Sequence, residues 1–221
     1  QLARMGEPAL NPAVLDLLAE LPRRWHAPGL MPSFSTVAPR GGERVLEAVA
    51  EVKDSWYSGG HFQMQFSVHS TRKDRRDELI PVPKWDLEQI SRFAEGFLKP
   101  GDRKVTLNFA LSSWEELQPN VLSDTFDPQR FLIKLTPVNP THRAREHQVG
   151  NALPQTGAWE HPVVQTLVDR GWEVLVSIGE LEENRIGSNC GQYARRNMEA
   201  RERLPEAYTY TLSPESERVS S

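Results

Sequence analysis

The chain of 221 residues is 38% apolar and 25% charged, enough to close one sizeable hydrophobic core and unlike a disordered or fibrous composition. A net charge of -4 gives no global attraction for nucleic acid, so any contact with RNA needs a local basic patch. One cysteine excludes an internal disulfide, no apolar run nears the roughly 20 residues that span a bilayer, and no charged segment leads into an apolar one at the N-terminus, so the chain reads as cytoplasmic.

In chain order, the first predicted element is a helix carrying Val14, Leu15, Leu17, Leu18 and Leu21, with Asn11 at its cap and Pro12 just inside. A strand follows from Leu30 to Val37. Val45, Leu46, Val49 and Val52 mark a short helix, and Gly59-Gly60 opens a strand from His61 to Val68. Leu87, Ile90, Phe93, Ala94 and Phe97 recur at helical spacing. Lys104 to Leu111 and Phe131 to Pro137 read as strands, Val163 to Asp169 as a helix, and Trp172 to Ile178 as the last strand.

Strand and helix alternate, which argues for a parallel sheet covered by helices, and their number suits a partial β/α barrel better than a small doubly wound sheet. Barrel chemistry sits at the C-terminal ends of strands. Gly6-Glu7-Pro8, Ser35-Thr36, Ser67-Val68-His69 and Asn139-Pro140 each fall where a predicted strand has just finished. Asn, Ser and Pro also make turns on their own account, so one such loop alone says little. Their recurrence at every such position is what points to one shared cavity.

Met5-Gly6-Glu7-Pro8 is followed by Leu10-Asn11, Ser35-Thr36 ends a strand, and Ser67-Val68-His69 leads on to Arg76-Asp77-Glu78-Leu79-Ile80-Pro81. Thr136-Pro137-Val138-Asn139-Pro140 and Ser188-Asn189-Cys190-Gly191-Gln192 complete the order. From Met5 to about Tyr193 the chain resembles the C-terminal two-thirds of radical S-adenosylmethionine (SAM) enzymes of the ribosomal RNA adenine-C2 methyltransferase family. The resemblance implies a partial radical SAM β/α barrel over residues 1–178, and over 179–221 a C-terminal loop with Cys190, a charged helix and a disordered tail.

It further implies SAM and a 4Fe-4S cluster as cofactors, ribosomal or transfer RNA as partner, and a reducing protein such as flavodoxin or ferredoxin. Gly6, Glu7, Ser35, Ser67, Val68, His69 and Asn139 would line the cofactor site. Glu7 would accept from the SAM ammonium, Gly6 would let backbone approach, Ser35 and Ser67 would offer hydroxyls, and Asn139 would pair with the adenine edge. Cys190 would be the catalytic residue, methylated by one SAM before its carbon is attacked by a 5′-deoxyadenosyl radical. A lone intracellular cysteine is by itself more often a small buried hydrophobe; its place after the last strand and beside Gly191 favours the thiolate methyl acceptor.

The family's Cys-x3-Cys-x2-Cys cluster motif is absent, and the chain starts inside what the resemblance makes the second strand. A barrel sheet lacking its first strand would present an unpaired edge, so this reading expects a longer polypeptide or a second chain to supply the cluster ligands. Ser70-Thr71-Arg72 stands where the family has Ala-Pro-Asn, Ser188-Asn189 replaces alanines, and Leu111 to Asp127 lacks an Asn-Asp-Ser-type turn. These departures lie nearer the substrate than the SAM. Alternatives are therefore the same radical chemistry on a peptide or small metabolite, or a cluster-less barrel that binds SAM or a partner protein.

Arg143 and Arg145, with Lys73, Arg75 and Arg76 on another loop, form either a phosphate-binding rim or a solvated one. His142 and His147 are five apart, a spacing that does not put both on one helical face for a metal.

Overall fold

Five strands, Ser33–Thr36 (β1), Gln63–Ser67 (β2), Val105–Leu111 (β3), Phe131–Pro137 (β4) and Val174–Val176 (β5), form a parallel sheet whose spatial order is the order of the sequence. The computed structural model describes residues 2, 6–27, 29–138, 152–153 and 158–177. Leu2 extends the ladder beyond β1: its N–H donates to the Ser33 carbonyl at 2.7 Å, and its carbonyl accepts from Ser35 N–H at 3.2 Å, in a parallel bridge to Phe34. A doubly wound sheet reverses its strand order at a switch point; this sheet does not. With crossovers of one hand, an unreversed order sends successive connections over the same face.

Burial follows that topology. Phe34, Met64, Phe66, Leu107, Phe109, Ile133 and Leu135 share one face and are buried. The helices Ala13–Arg24 (α1), Glu43–Trp56 (α2), Lys73–Leu79 (α3), Leu87–Phe97 (α4), Pro119–Thr125 (α5) and Pro162–Asp169 (α6) flank the sheet. Phe93 of α4 meets the Phe66 ring edge-on at 5.8 Å, and Phe126 after α5 meets Phe131 at 4.8 Å. Such pairs add directional attraction to the area they bury. The chain is thus α/β, with a five-stranded parallel sheet flanked by helices. Among the described residues no helix is long and apolar enough to cross a membrane.

β4 and α4 start and stop where the residue pattern places them. In α4 the reason is explicit: Asp86 accepts from Gln89 N–H at 2.7 Å and Gln89 Oε1 accepts from Asp86 N–H at 3.0 Å, closing both ends of a capping box. Other elements differ. α1 begins at Ala13 with Pro12 in the cap position, and Asn11 Oδ1 accepts from Ala13 N–H at 3.2 Å in a turn before the helix instead of capping it. α3 occupies the stretch expected as a basic loop, and α5 lies within Leu111 to Asp127, where no helix is predicted. Both are seven residues long, too short to show a clear apolar period.

Arg76 corrects the expectation of a basic rim. Its side chain turns inward from α3, is 5% exposed, and donates through Nη1 to the Trp85 carbonyl at 2.6 Å. Lys73 pairs with Asp77 at 2.6 Å, and Arg75 pairs with Glu78 and with Glu116. Lys73 stays at the surface in an exposed pair, Arg75 is tied to two carboxylates, and Arg76, with Nε and Nη2 unpartnered among the described residues, is withdrawn from the rim. Arg143, Arg145, His142, His147 and the 179–221 segment lie outside the described residues.

Candidate functional site at the C-terminal edge of the sheet

All five strands are parallel, so their C-terminal ends share one edge. Along it the structure brings together Gly6 and Glu7 beyond Leu2, Ser35 near the end of β1, Ser67 at the end of β2, and Val68 and His69 just after it. Asn139 and Cys190 lie outside the described residues.

Gly6 has φ 127°, a conformation that side-chain-bearing residues rarely adopt, and this aims the chain into the 3-10 turn Pro8–Leu10. That turn sits on the start of α2, where a Cβ on Gly42 would come within 3.0 Å of the Ala9 Cβ. Glu7 stitches the motif to the sheet. Its Oε1 accepts from Ala9 N–H at 3.0 Å and its Oε2 from Val37 N–H, also at 3.0 Å. Each oxygen keeps a second lone pair for a ligand. Glu7→Ala removes a cap and a cross-link together and is expected to destabilise the fold by about 2 kcal/mol in urea unfolding; an unchanged midpoint would refute the cross-link.

His69 shows how β2 ends. Val68 N–H and His69 N–H both donate to the Asn108 carbonyl, at 2.9 and 3.2 Å, as the chain swings to φ 63° at His69. The next ladder donor, Ala110 N–H, then finds the His69 Nδ1 at 3.1 Å in place of a backbone carbonyl. A nitrogen that accepts is unprotonated, so the neutral ring carries its proton on Nε2. Removal from water, with the Arg76 charge opposing a second cation, lowers the His69 pKa to about 4.

The unfolded chain, with an ordinary histidine, binds this proton already near pH 6.5. Stability should therefore fall as pH drops from about 6.5 to about 4, by at most about 3 kcal/mol and by less because the ring is half-buried. His69→Asn tolerates the left-handed backbone but cannot titrate. Its urea midpoint should lose less than the wild type's across that window, and parallel pH profiles would refute the assignment.

The second face of the sheet carries a different set. Ser35, Gln65 and Thr106 stand in one row across β1 to β3, and Ser67, Asn108 and Lys134 in the next row across β2 to β4. The hydroxyls of Ser35 and Ser67 make no hydrogen bond among the described residues. The Asn108 Oδ1 likewise has no partner there. Val68, by contrast, is fully buried in the apolar core, and its N–H is used in the ladder.

A second hub closes the loops after β2 and β3. Glu116, 2% exposed, accepts from Ser112 N–H at 3.0 Å, Ser113 N–H at 3.3 Å and Arg75 Nη2 at 3.2 Å. Its carbonyl accepts from Thr71 N–H at 2.8 Å. Thr71 Oγ1 takes Gln118 N–H at 3.1 Å, and Ser70 Oγ takes Arg72 N–H at 3.1 Å. Ser70-Thr71 and the Leu111–Asp127 segment thus hold each other in place. Glu116 is not among the residues singled out from the sequence; the signal that could have found it is the Ser113-x-x-Glu116 capping pattern.

Among the described residues no group of three His, Cys, Asp or Glu side chains is placed to hold a metal ion. Comparison of the chain with protein-family models, curated proteins and solved structures gives no match.

Proposed function

We propose that this protein acts as a radical SAM enzyme that methylates an adenine carbon of RNA, binding SAM along the C-terminal edge of a partial β/α barrel and carrying the methyl group on Cys190. The observation that supports this reading best is positional. Gly6, Glu7, Ser35, Ser67 and His69, singled out by ordered motifs, sit at the ends of neighbouring strands of one parallel, unreversed sheet.

The residues present suit SAM. Ser35 and Ser67 have hydroxyls uncommitted among the described residues for a carboxylate or ribose, Glu7 has lone pairs left for an ammonium, and the neutral His69 has an Nε2–H to donate. Bound SAM supplies an activated methyl group and, on reductive cleavage, hydrogen-abstracting chemistry. A cluster does not fit these 221 residues, because one cysteine cannot provide three thiolates. Its ligands, in this reading, belong to other residues of the same polypeptide or to a second chain.

The test is iron and sulfide content of the intact gene product purified without oxygen, followed by an assay for 5′-deoxyadenosine on reduction with SAM. About four irons per chain and formation of the nucleoside are expected. Absence of iron after reconstitution would overturn the radical mechanism.

A further inference from the structure

Strands β3 and β4 are apolar on their helix-covered face, yet on the other face they carry Asn108 and Lys134 as partners in register. Asn108 is only 9% exposed, and its Oδ1 has no hydrogen-bond partner among the described residues. A buried carbonyl oxygen left unpaired costs on the order of 1–3 kcal/mol, and the described residues supply no donor at this place. Lys134 is half-buried and makes no ion pair among the described residues. Its described neighbours on that face include Ser67, Asn108, Thr106, Thr136, Leu132 and Leu175; the one acidic neighbour among the described residues, Glu173 beside Leu132, gives its carboxylate to Lys104 at 3.4 Å. A cation held mid-strand outside any ion pair among the described residues, beside an acceptor that finds no donor among them, is half of a binding site.

We propose that Lys134 and Asn108 form an anion subsite on the open face of the sheet, taking the carboxylate or phosphate oxygens of a ligand that also presents an N–H or O–H donor to Asn108 Oδ1. Adjacent strands lie about 4.8 Å apart, so an anionic oxygen at Lys134 and a donor at Asn108 sit about one strand spacing from each other. This anion is not the SAM carboxylate. Glu7, bonded to Val37 just after β1, is about three strand spacings, or roughly 14 Å, from β4, whereas the ammonium and carboxylate of an amino acid share one carbon. The subsite belongs to a second ligand, and under the reading above that ligand is the methyl acceptor.

The test uses the full chain and inorganic phosphate or acetate as probes, each against chloride at equal ionic strength. Thermal unfolding is followed for the wild type, Lys134→Met and Asn108→Ala. A probe at ten times its dissociation constant should raise the wild-type Tm by about 3–5 °C, and Lys134→Met should remove the shift. Lys134→Met keeps the aliphatic stem, and a wild-type circular dichroism spectrum establishes that it folds. A larger shift with phosphate identifies a phosphate-bearing acceptor, and a larger shift with acetate a carboxylate-bearing one. No anion-specific shift in the wild type, or an equal shift in Lys134→Met, overturns the subsite. Neither result depends on SAM binding or iron content, so failure here and failure of the radical SAM reading are separate outcomes.

Discussion

Replacing Cys190 by alanine in the intact gene product is expected to lower methyl transfer to RNA by on the order of 10³-fold or more, and with it the 5′-deoxyadenosine formed by taking a hydrogen atom from the methyl group on Cys190, while leaving SAM affinity near the wild-type value. Cys190 is the only cysteine in the chain, and no other common side chain attacks a sulfonium methyl as readily as a thiolate. Cys190→Ser should be equally inactive, because a hydroxyl does not ionise near neutral pH without a strong base beside it. The split between the two readouts matters. A residue needed only to fold the site would lower SAM affinity along with transfer, whereas a methyl carrier lowers transfer and leaves affinity unchanged. Mass analysis of the isolated protein should find one additional methyl group on the peptide containing Cys190 and none in the alanine variant. Methyl transfer within tenfold of wild type in Cys190→Ala would remove Cys190 from the mechanism.

Lys53→Ala is expected to cost about 3–5 kcal/mol of stability and to lower Tm by on the order of 10 °C. The Lys53 side chain is 1% exposed and bonds to Asp102, which is 5% exposed, and to Asp54 at 2.6 Å. Its ammonium also lies 4.9 Å from the centre of the Phe97 ring. Asp102 Oδ2 accepts in addition from Lys99 N–H at 2.9 Å, so the pair joins α2 to the turn before β3. Removing the lysine leaves a buried carboxylate with one backbone donor and no countercharge. Lys53→Met should be nearly as harmful for the same reason. The double variant Lys53→Met with Asp102→Asn buries no charge and should recover most of the loss. Urea unfolding of the wild type, Lys53→Met, Asp102→Asn and the double variant checks this as a double-mutant cycle; a cost below 1 kcal/mol for Lys53→Ala would show that water reaches the pair.

Some of the fold was readable because its signals are local. β4 is bounded by turn residues, and α4 combines an apolar helical stripe with an Asp86-to-Gln89 cap, so both ends are written within a few residues. Lys73, Arg75 and Arg76 show the opposite case. A run of charges reads as solvated, but whether Arg76 turns outward or into the space under Trp85 depends on how α3 docks, which no pattern within Lys73–Leu79 encodes. Glu116 is similar: its place in a Ser113-x-x-Glu116 pattern is local, while its bond to Arg75 and the docking of Thr71 on its carbonyl come from segments more than 40 residues away.

For the site, the residue types were chosen by the sequence alone: Gly6, Glu7, Ser35, Ser67 and His69 in one order, each after an apolar run, and a single cysteine near the end. Lys134 and Asn108 were equally visible as polar interruptions of strands but carried no meaning there, because alternation says only that such residues leave the core, not what stands beside them. Their neighbourhood was decided by strand order and register, which the tertiary structure alone supplies. Hydrophobic periodicity is a property of consecutive residues, whereas pairing Asn108 with Lys134 and ending β2 on the ring of His69 require backbone hydrogen bonds between segments that meet only when the sheet closes on its helices.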